Sequence, residues 1–215
     1  MTRTAMQRQP APEERLASVS DEALVERTLA GDAGAFDQIV ARYKGRVFSY
    51  ACRMLGDPET AAETAQDVFM RAYRYLENFR GDSKFSTWFY TIVTTTCMNA
   101  SKYHGLRARN RDERYFESEE GSVSDPIDRV PSDTYAPEKL AARGEIRGAV
   151  RDAIQDIPEI YRQVIVLKDV NDFSYEEIAR ILECELGTVK SRLARARQMM
   201  RERLIAAGVL GPECD

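Results

Sequence analysis

The chain is predicted to be all-α: two small helical domains, an N-terminal bundle and a C-terminal helix-turn-helix domain, joined by a flexible acidic linker. Three observations predict this. Apolar residues recur at steps of three and four through most of the 215 residues, and no alternating strand pattern occurs anywhere. Glycine, proline and capping residues cut these runs into helices of ordinary length. Between residues 107 and 140 the rhythm stops, in a stretch that opens basic (Arg107, Arg109, Arg111, Arg114) and turns acidic (Glu117, Glu119, Glu120, Asp125, Asp128, Asp133) with Pro126, Pro131 and Pro137.

The elements follow in order. Residues 1–18 have two prolines and little periodicity, and read as a disordered tail. Residues 19–106 form the first domain. Ser20 caps a short helix through Leu29, which Gly31 stops. Asp32 opens a longer helix with Phe36, Ile39, Val40, Tyr43, Val47, Ala51 and Leu55 on one face, closed by Gly56. Asp57-Pro58 restarts the chain, because aspartate caps and proline suits the first helical position. The buried face there is Ala61, Ala65, Val68, Phe69, Ala72, Leu76 and Phe79, with Glu63, Gln66, Asp67, Arg71 and Arg74 off it. Arg80-Gly81-Asp82 turns the chain. A fourth helix then runs from Ser83 to near Gly105, with Phe85, Trp88, Phe89, Ile92, Val93, Thr96 and Ala100 as its apolar positions.

Residues 107–140 are the linker and 141–207 the second domain, followed by a C-terminal tail at 208–215. One helix carries Ile146, Val150, Ala153 and Ile157 up to the break at Pro158, and another carries Ile160, Val164, Leu167 and Val170. Ser174 and Glu177 then have the capping-box spacing, followed by Ile178, Ala179, Ile181 and Leu182. After a turn at Glu183 to Leu186, a longer amphipathic helix buries Leu186, Val189, Leu193, Ala196, Met200 and Leu204. Its other face presents Thr188, Ser191, Arg192 and Arg195, flanked by Lys190, Arg197 and Arg201. The alternative, a merely solvated basic helix, fails on two counts. The preceding helix is too short to stand alone and must fold against this one. The small hydroxyls sit at its N-terminal end, where a recognition helix meets base edges.

Composition narrows the function. The 43% of apolar residues suffices for real cores, and no apolar run reaches membrane length. The four cysteines Cys52, Cys97, Cys184 and Cys214 are scattered, and His104 is the single histidine. That pattern argues against a disulfide framework or a zinc site and fits a reducing cytoplasm. No glycine loop, nucleophile–base pair or metal-ligand cluster emerges, so no catalysis, cofactor or metal is expected. The net charge of −4 is wrong for nonspecific DNA affinity, so DNA binding would be local and partner-assisted.

The aromatics Phe79, Phe85, Trp88, Phe89 and Tyr90 lie beside Arg80, Lys84 and Lys102, with Asn78, Ser86 and Thr87 around the same turn. Rings at helical spacing are usually core, whereas rings interleaved with cations suit single-stranded nucleic acid, where each stacked base contributes about 1–3 kcal/mol. Composition leaves both readings open. The place of Trp88 in the apolar series favours anchoring in the core.

Three stretches decide between them by resemblance. SYEEIA with GTVKSRLARAR (Gly187 to Arg197) resembles the C-terminal domain of bacterial sigma factors, in particular the two-domain extracytoplasmic-function group. FRGDSKFSTWFYTIV (Phe79 to Val93) resembles that group's promoter-melting and −10-reading segment, and AETAQDVFMRAYRYLENF (Ala62 to Phe79) its core-polymerase-binding helix. The resemblance covers both domains in the family's order. It implies a non-catalytic cytoplasmic subunit that docks on core RNA polymerase, at the β′ clamp and the β flap. It implies recognition of duplex and single-stranded promoter DNA, and restraint by an anti-sigma factor, without membrane insertion.

Carried over by position, Glu63, Gln66, Asp67 and Arg71 would meet the polymerase. Arg80, Asp82, Ser83, Lys84, Ser86, Thr87, Thr95, Asn99 and Lys102 would read and open the −10 element. Thr188, Lys190, Ser191, Arg192, Arg195 and Arg197 would read the −35 element. The chain departs from the family at Thr95, where asparagine is common, and in the run Thr94-Thr95-Thr96. It departs also at Thr64 and Ala65, where larger aliphatics are typical. A helix-turn-helix repressor and a sigma antagonist are the competing readings. The long acidic linker speaks against the first, and the aromatic strand-capture turn against the second.

Overall fold

Local sequence rules account for most helix ends in the computed structural model, which describes residues 19–111 and 137–211, with side chains at 19–103 and 144–211. Residues 1–18, the acidic stretch 112–136 and residues 212–215, with Cys214, lie outside the described residues, as does the side chain of His104. Among them every regular element is helical: α1 (Asp21–Leu29), α2 (Ala33–Leu55), α3 (Pro58–Arg74), a 3₁₀ turn (Leu76–Asn78), α4 (Phe85–Arg111), α5 (Pro137–Gln155), α6 (Glu159–Ile165), a π turn (Val166–Val170), α7 (Tyr175–Ile181) and α8 (Leu186–Ala206). Helices α1–α4 make one unit and α5–α8 a second.

Ser20 caps α1 by accepting the Ala23 N–H, and Asp57 caps α3 by accepting that of Thr60, with Pro58 in the first turn. Gly56 ends α2 in the left-handed conformation, at φ 80°, which a residue without Cβ adopts freely.

Four details differ from expectation. Asp32 precedes α2 but makes no cap hydrogen bond, because Arg27 engages its carboxylate at 2.7 Å and 3.1 Å. That guanidinium outweighs the opposing effect of burial and holds the Asp32 carboxyl below the usual carboxylate range. Helix α4 starts at Phe85 rather than Ser83, since Glu22 of α1 reaches across to accept the Phe85 N–H at 3.1 Å. It also runs through Gly105 to Arg111, because a lone glycine costs a helix only about 1 kcal/mol. Finally, the helix after Pro158 does not stay regular to Val170. Its last turn widens, with the Asn171 N–H reaching back to the Val166 carbonyl.

The N-terminal unit is held by a cluster of rings. Phe85 and Phe89 stack at 5.6 Å, Tyr43 meets both edge-on, and Phe69 and Phe79 close the sides. Asp21 ties α1 to α2 by accepting from Arg42 at 2.6 Å and from the Tyr43 hydroxyl at 2.5 Å. In the C-terminal unit Val164, Leu167, Ile178, Ile181, Val189, Leu193 and Ala196 are buried together, so α6, α7 and α8 fold as one core. The Ser174–Glu177 capping box is formed in both directions, at 3.1 Å and 2.9 Å. Glu183, at φ 48°, makes the turn into α8.

Candidate nucleic-acid and polymerase interface

Three surfaces carry the residues singled out in the sequence. On α8 the buried side is Val189, Leu193 and Ala196. Thr188, Ser191 and Arg195, spaced three and four apart, therefore share the opposite face, with Lys190 and Arg192 beside them. Ser191 donates to the Thr188 carbonyl at 3.0 Å, which keeps its hydroxyl on the helix surface. Arg195 extends along the exposed face and donates to Gln198 at 2.9 Å. Arg197 is different. It forms a two-pronged ion pair with Asp169, at 2.6 Å and 3.2 Å, which raises its pKa and ties α8 to the π turn. The geometry makes Arg197 a brace between elements rather than part of the Thr188–Arg195 face.

The second surface begins at the turn after α3 and continues along α4. Arg80, Asp82 and Lys84 are exposed, Ser83 and Ser86 partly so. Thr95, Asn99 and Lys102 are exposed at steps of four and three, hence on one face of α4. Thr87 does not join them: only 3% exposed, it packs inward with its hydroxyl lacking a protein partner. Its short side chain is enclosed, so Thr87 offers no surface to a DNA strand in this conformation.

Trp88 is also placed otherwise than its apolar series suggests. It is partly rather than fully buried, tilted against Phe79 at 5.6 Å and Phe85 at 5.7 Å. Counting four, three and four residues onward from Trp88 reaches Ile92, Thr95 and Asn99, so its open edge heads the polar stripe. Partial exposure of a large ring is invisible to periodicity, which reports only which face a residue belongs to.

The third surface is the outer side of α3. Glu63 and Gln66 are exposed, and Asp67 pairs with Arg71 one turn on at 2.8 Å. Sequence reading missed its apolar members: Met70 and Tyr73 are 57% and 56% exposed. Tyr73 meets Phe36 edge-on at 4.9 Å, and exposed apolar side chains of this kind on a charged helix suit a contact with another protein. Their signal in the sequence was their position outside the α3 core series.

Among the described residues no cluster of histidine, cysteine or carboxylate could hold a metal ion, and no helix is long and apolar enough to cross a membrane. Burial pushes the Cys97 thiol up to about 12, with the nearby Glu159 carboxylate adding to it, which leaves no reactive thiolate there.

The Sigma-70 region 2 family model matches residues 39–107, and the Sigma-70, region 4 model matches residues 147–200. The RNA polymerase sigma-H factor of Pseudomonas aeruginosa is 37% identical over 191 residues, covering 88% of this chain and 96% of that protein. The ECF RNA polymerase sigma-E factor of Escherichia coli K12 is 37% identical over 180 residues, covering 84% and 92%. Among solved structures, the sigma factor RpoE of Bartonella quintana in complex with the anti-sigma factor NepR superimposes with a TM-score of 0.61 at 23% identity, over 79% of this chain and 96% of that one. CnrH in complex with the cytosolic domain of CnrY gives 0.60 at 25% identity, over 87% and 99%. The first likeness concerns the fold; the family follows from the two matched regions and the full-length relatives. The chain belongs to the sigma-70 family of RNA polymerase sigma factors, in its extracytoplasmic-function group.

Proposed function

We infer that this protein is an alternative sigma factor, which binds core RNA polymerase, directs it to promoters through −35 and −10 recognition and promotes opening of the duplex. The observation that carries this is the pairing of two separate exposed polar and basic surfaces, on α4 and α8, with an exposed apolar-and-charged face on α3. It is an initiation factor and supplies no catalytic group of its own.

In detail, α8 lies in the major groove of the −35 element, with Thr188, Ser191 and Arg195 at base edges and Lys190 and Arg192 toward phosphates. The turn Arg80 to Ser86 and the stripe Thr95, Asn99 and Lys102 hold the opened −10 strand. Extruding a base costs a few kcal/mol, so capture requires stacking and hydrogen bonds besides phosphate attraction. Glu63, Gln66, Asp67 and Arg71, with Met70 and Tyr73, dock on the β′ clamp, and the C-terminal unit on the β flap. The protein works in the cytoplasm, where polymerase is. An anti-sigma factor restrains it, a reading supported by the Bartonella sigma factor, which is found in complex with the anti-sigma factor NepR.

Run-off transcription with core polymerase tests the reading. Promoter-specific product is expected only when this chain is added, and equal product without it would refute the assignment.

A further inference from the structure

The turn that carries Arg80 to Lys84 has little of its own to hold it. Gly81 takes the left-handed conformation at φ 77°, and among the described residues no backbone hydrogen bond involves residues 80–83. Its shape is therefore set at its two ends. At the first, the Phe79 N–H donates to the Leu76 carbonyl at 3.0 Å, and the Phe79 ring meets Phe85 edge-on at 5.7 Å. At the second, α4 begins, and the first N–H groups of a helix have no acceptor within it. The local candidates do not serve. Lys84, in the cap position, has no acceptor atom in its side chain, and Ser83 turns its hydroxyl to the Lys84 carbonyl at 3.4 Å. Glu22, 63 positions earlier, supplies the missing acceptor: its Oε1 takes the Phe85 N–H at 3.1 Å.

Both partners in this bond are carried by rigid elements. Glu22 lies in the first turn of α1, between anchored neighbours: Ser20 caps the helix by accepting the Ala23 N–H, and Asp21 accepts from Arg42 and from the Tyr43 hydroxyl. Leu24 and Val25 of the same helix are buried in the core. On the receiving side the Phe85 ring is fully buried, stacked on Phe89 and met edge-on by Tyr43. Tyr43 thus closes a circuit, its hydroxyl on Asp21 beside Glu22 and its ring on Phe85. A carboxylate suits the partial positive charge at the start of α4 but repels phosphate. Glu22 therefore acts on a DNA strand through the turn, without touching it.

We propose that Glu22 is a positioning residue for strand capture: by capping α4 from another helix, it holds the turn Arg80 to Ser86 in the shape that receives an extruded base. A loop already in its bound shape loses less freedom on binding, and so binds more tightly. The proposal rests on the sigma-factor reading for the identity of the strand.

The test is the affinity of polymerase holoenzyme for a single-stranded −10 oligonucleotide. Wild type is compared with Glu22→Gln, Glu22→Asp and Glu22→Ala, each shown by thermal melts to be folded at the assay temperature. Glu22→Gln keeps the reach and the carbonyl oxygen and loses the charge. Glu22→Asp keeps the charge and suits the first turn of a helix, but is one methylene too short for Phe85. The oligonucleotide should bind Glu22→Gln as it binds wild type. It should bind Glu22→Asp and Glu22→Ala about fivefold more weakly, the size of a lost helix cap, with core polymerase binding unchanged. A purely structural role would lower the melting temperature and leave the affinity of the folded variants alone, which would overturn the proposal. So would the opposite order, Glu22→Asp normal and Glu22→Gln impaired, since that reports charge rather than reach. Should Glu22→Ala fail to fold, the contrast between Glu22→Gln and Glu22→Asp decides by itself, and equal affinities for those two refute the positioning role. A wild-type holoenzyme that does not bind the oligonucleotide would refute the sigma-factor reading and this proposal with it, a result distinct from the others.

Discussion

Replacing Trp88 by alanine separates packing from strand capture, because the ring packs on Phe79 and Phe85 and borders the face proposed to hold the opened strand. A large aromatic removed from a full core costs about 3–5 kcal/mol. Trp88 is partly exposed, and its ring contacts are the tilted rings of Phe79 and Phe85. The expected loss is therefore about 2–3 kcal/mol, scaled down from that full-core cost. For a unit of this size that is a fall of roughly 8–24 °C in melting temperature. Its open edge begins the stripe that ends in Thr95, Asn99 and Lys102, where a stacked base contributes about 1–3 kcal/mol. Opening of a duplex promoter should thus slow by about 5- to 150-fold at a temperature where the variant is folded. Trp88→Phe, which keeps a stacking face, should retain most of both. Circular dichroism melts report the first quantity and permanganate footprinting of the bubble over time the second. A Trp88→Ala protein that opens promoters at the wild-type rate would show the residue to be an anchor only. A variant that melts like wild type would refute the packing estimate.

The remaining predictions concern the recognition helix and Glu177. Arg195→Ala should weaken −35-dependent initiation by about 1–3 kcal/mol, and only on promoters carrying the cognate base. A loss that is uniform across sequences and shrinks the salt dependence would make Arg195 a phosphate contact instead. Glu177 predicts a pH effect. Partial burial raises its carboxyl, but the Ser174 backbone N–H, Lys84 and the Ser174 hydroxyl outweigh this and hold it below the usual 4.5. A depressed carboxyl stabilises the fold above its unfolded value, and that stabilisation is lost as pH falls through the folded value. Melting temperature should therefore drop below about pH 4.5 more steeply in wild type than in Glu177→Gln, which keeps the capping geometry without the charge. Parallel melting curves for the two proteins would exclude this role.

Amphipathic periodicity and capping are properties of neighbours in the chain, so the sequence alone determined the all-helical class, the break between the two units and the helix-turn-helix with its Ser174–Glu177 box. The polar face of α8 was legible for the same reason: once Val189, Leu193 and Ala196 turn inward, Thr188, Ser191 and Arg195 must turn out. Tertiary structure decided whatever depends on a distant partner. Glu22 rather than Ser83 serves the start of α4, Arg27 takes Asp32 away from its cap, and Asp169 ties Arg197 away from the Thr188–Arg195 face. Thr87 and Trp88 are neighbours on the same helix, yet the first is enclosed, while the second leans on Phe79 and Phe85 and stays partly exposed. The contact between the two units is the extreme case. Gln155 and Arg162 cap a helix 102 to 108 positions away, and no local pattern can announce a donor whose acceptors exist only after both units have folded.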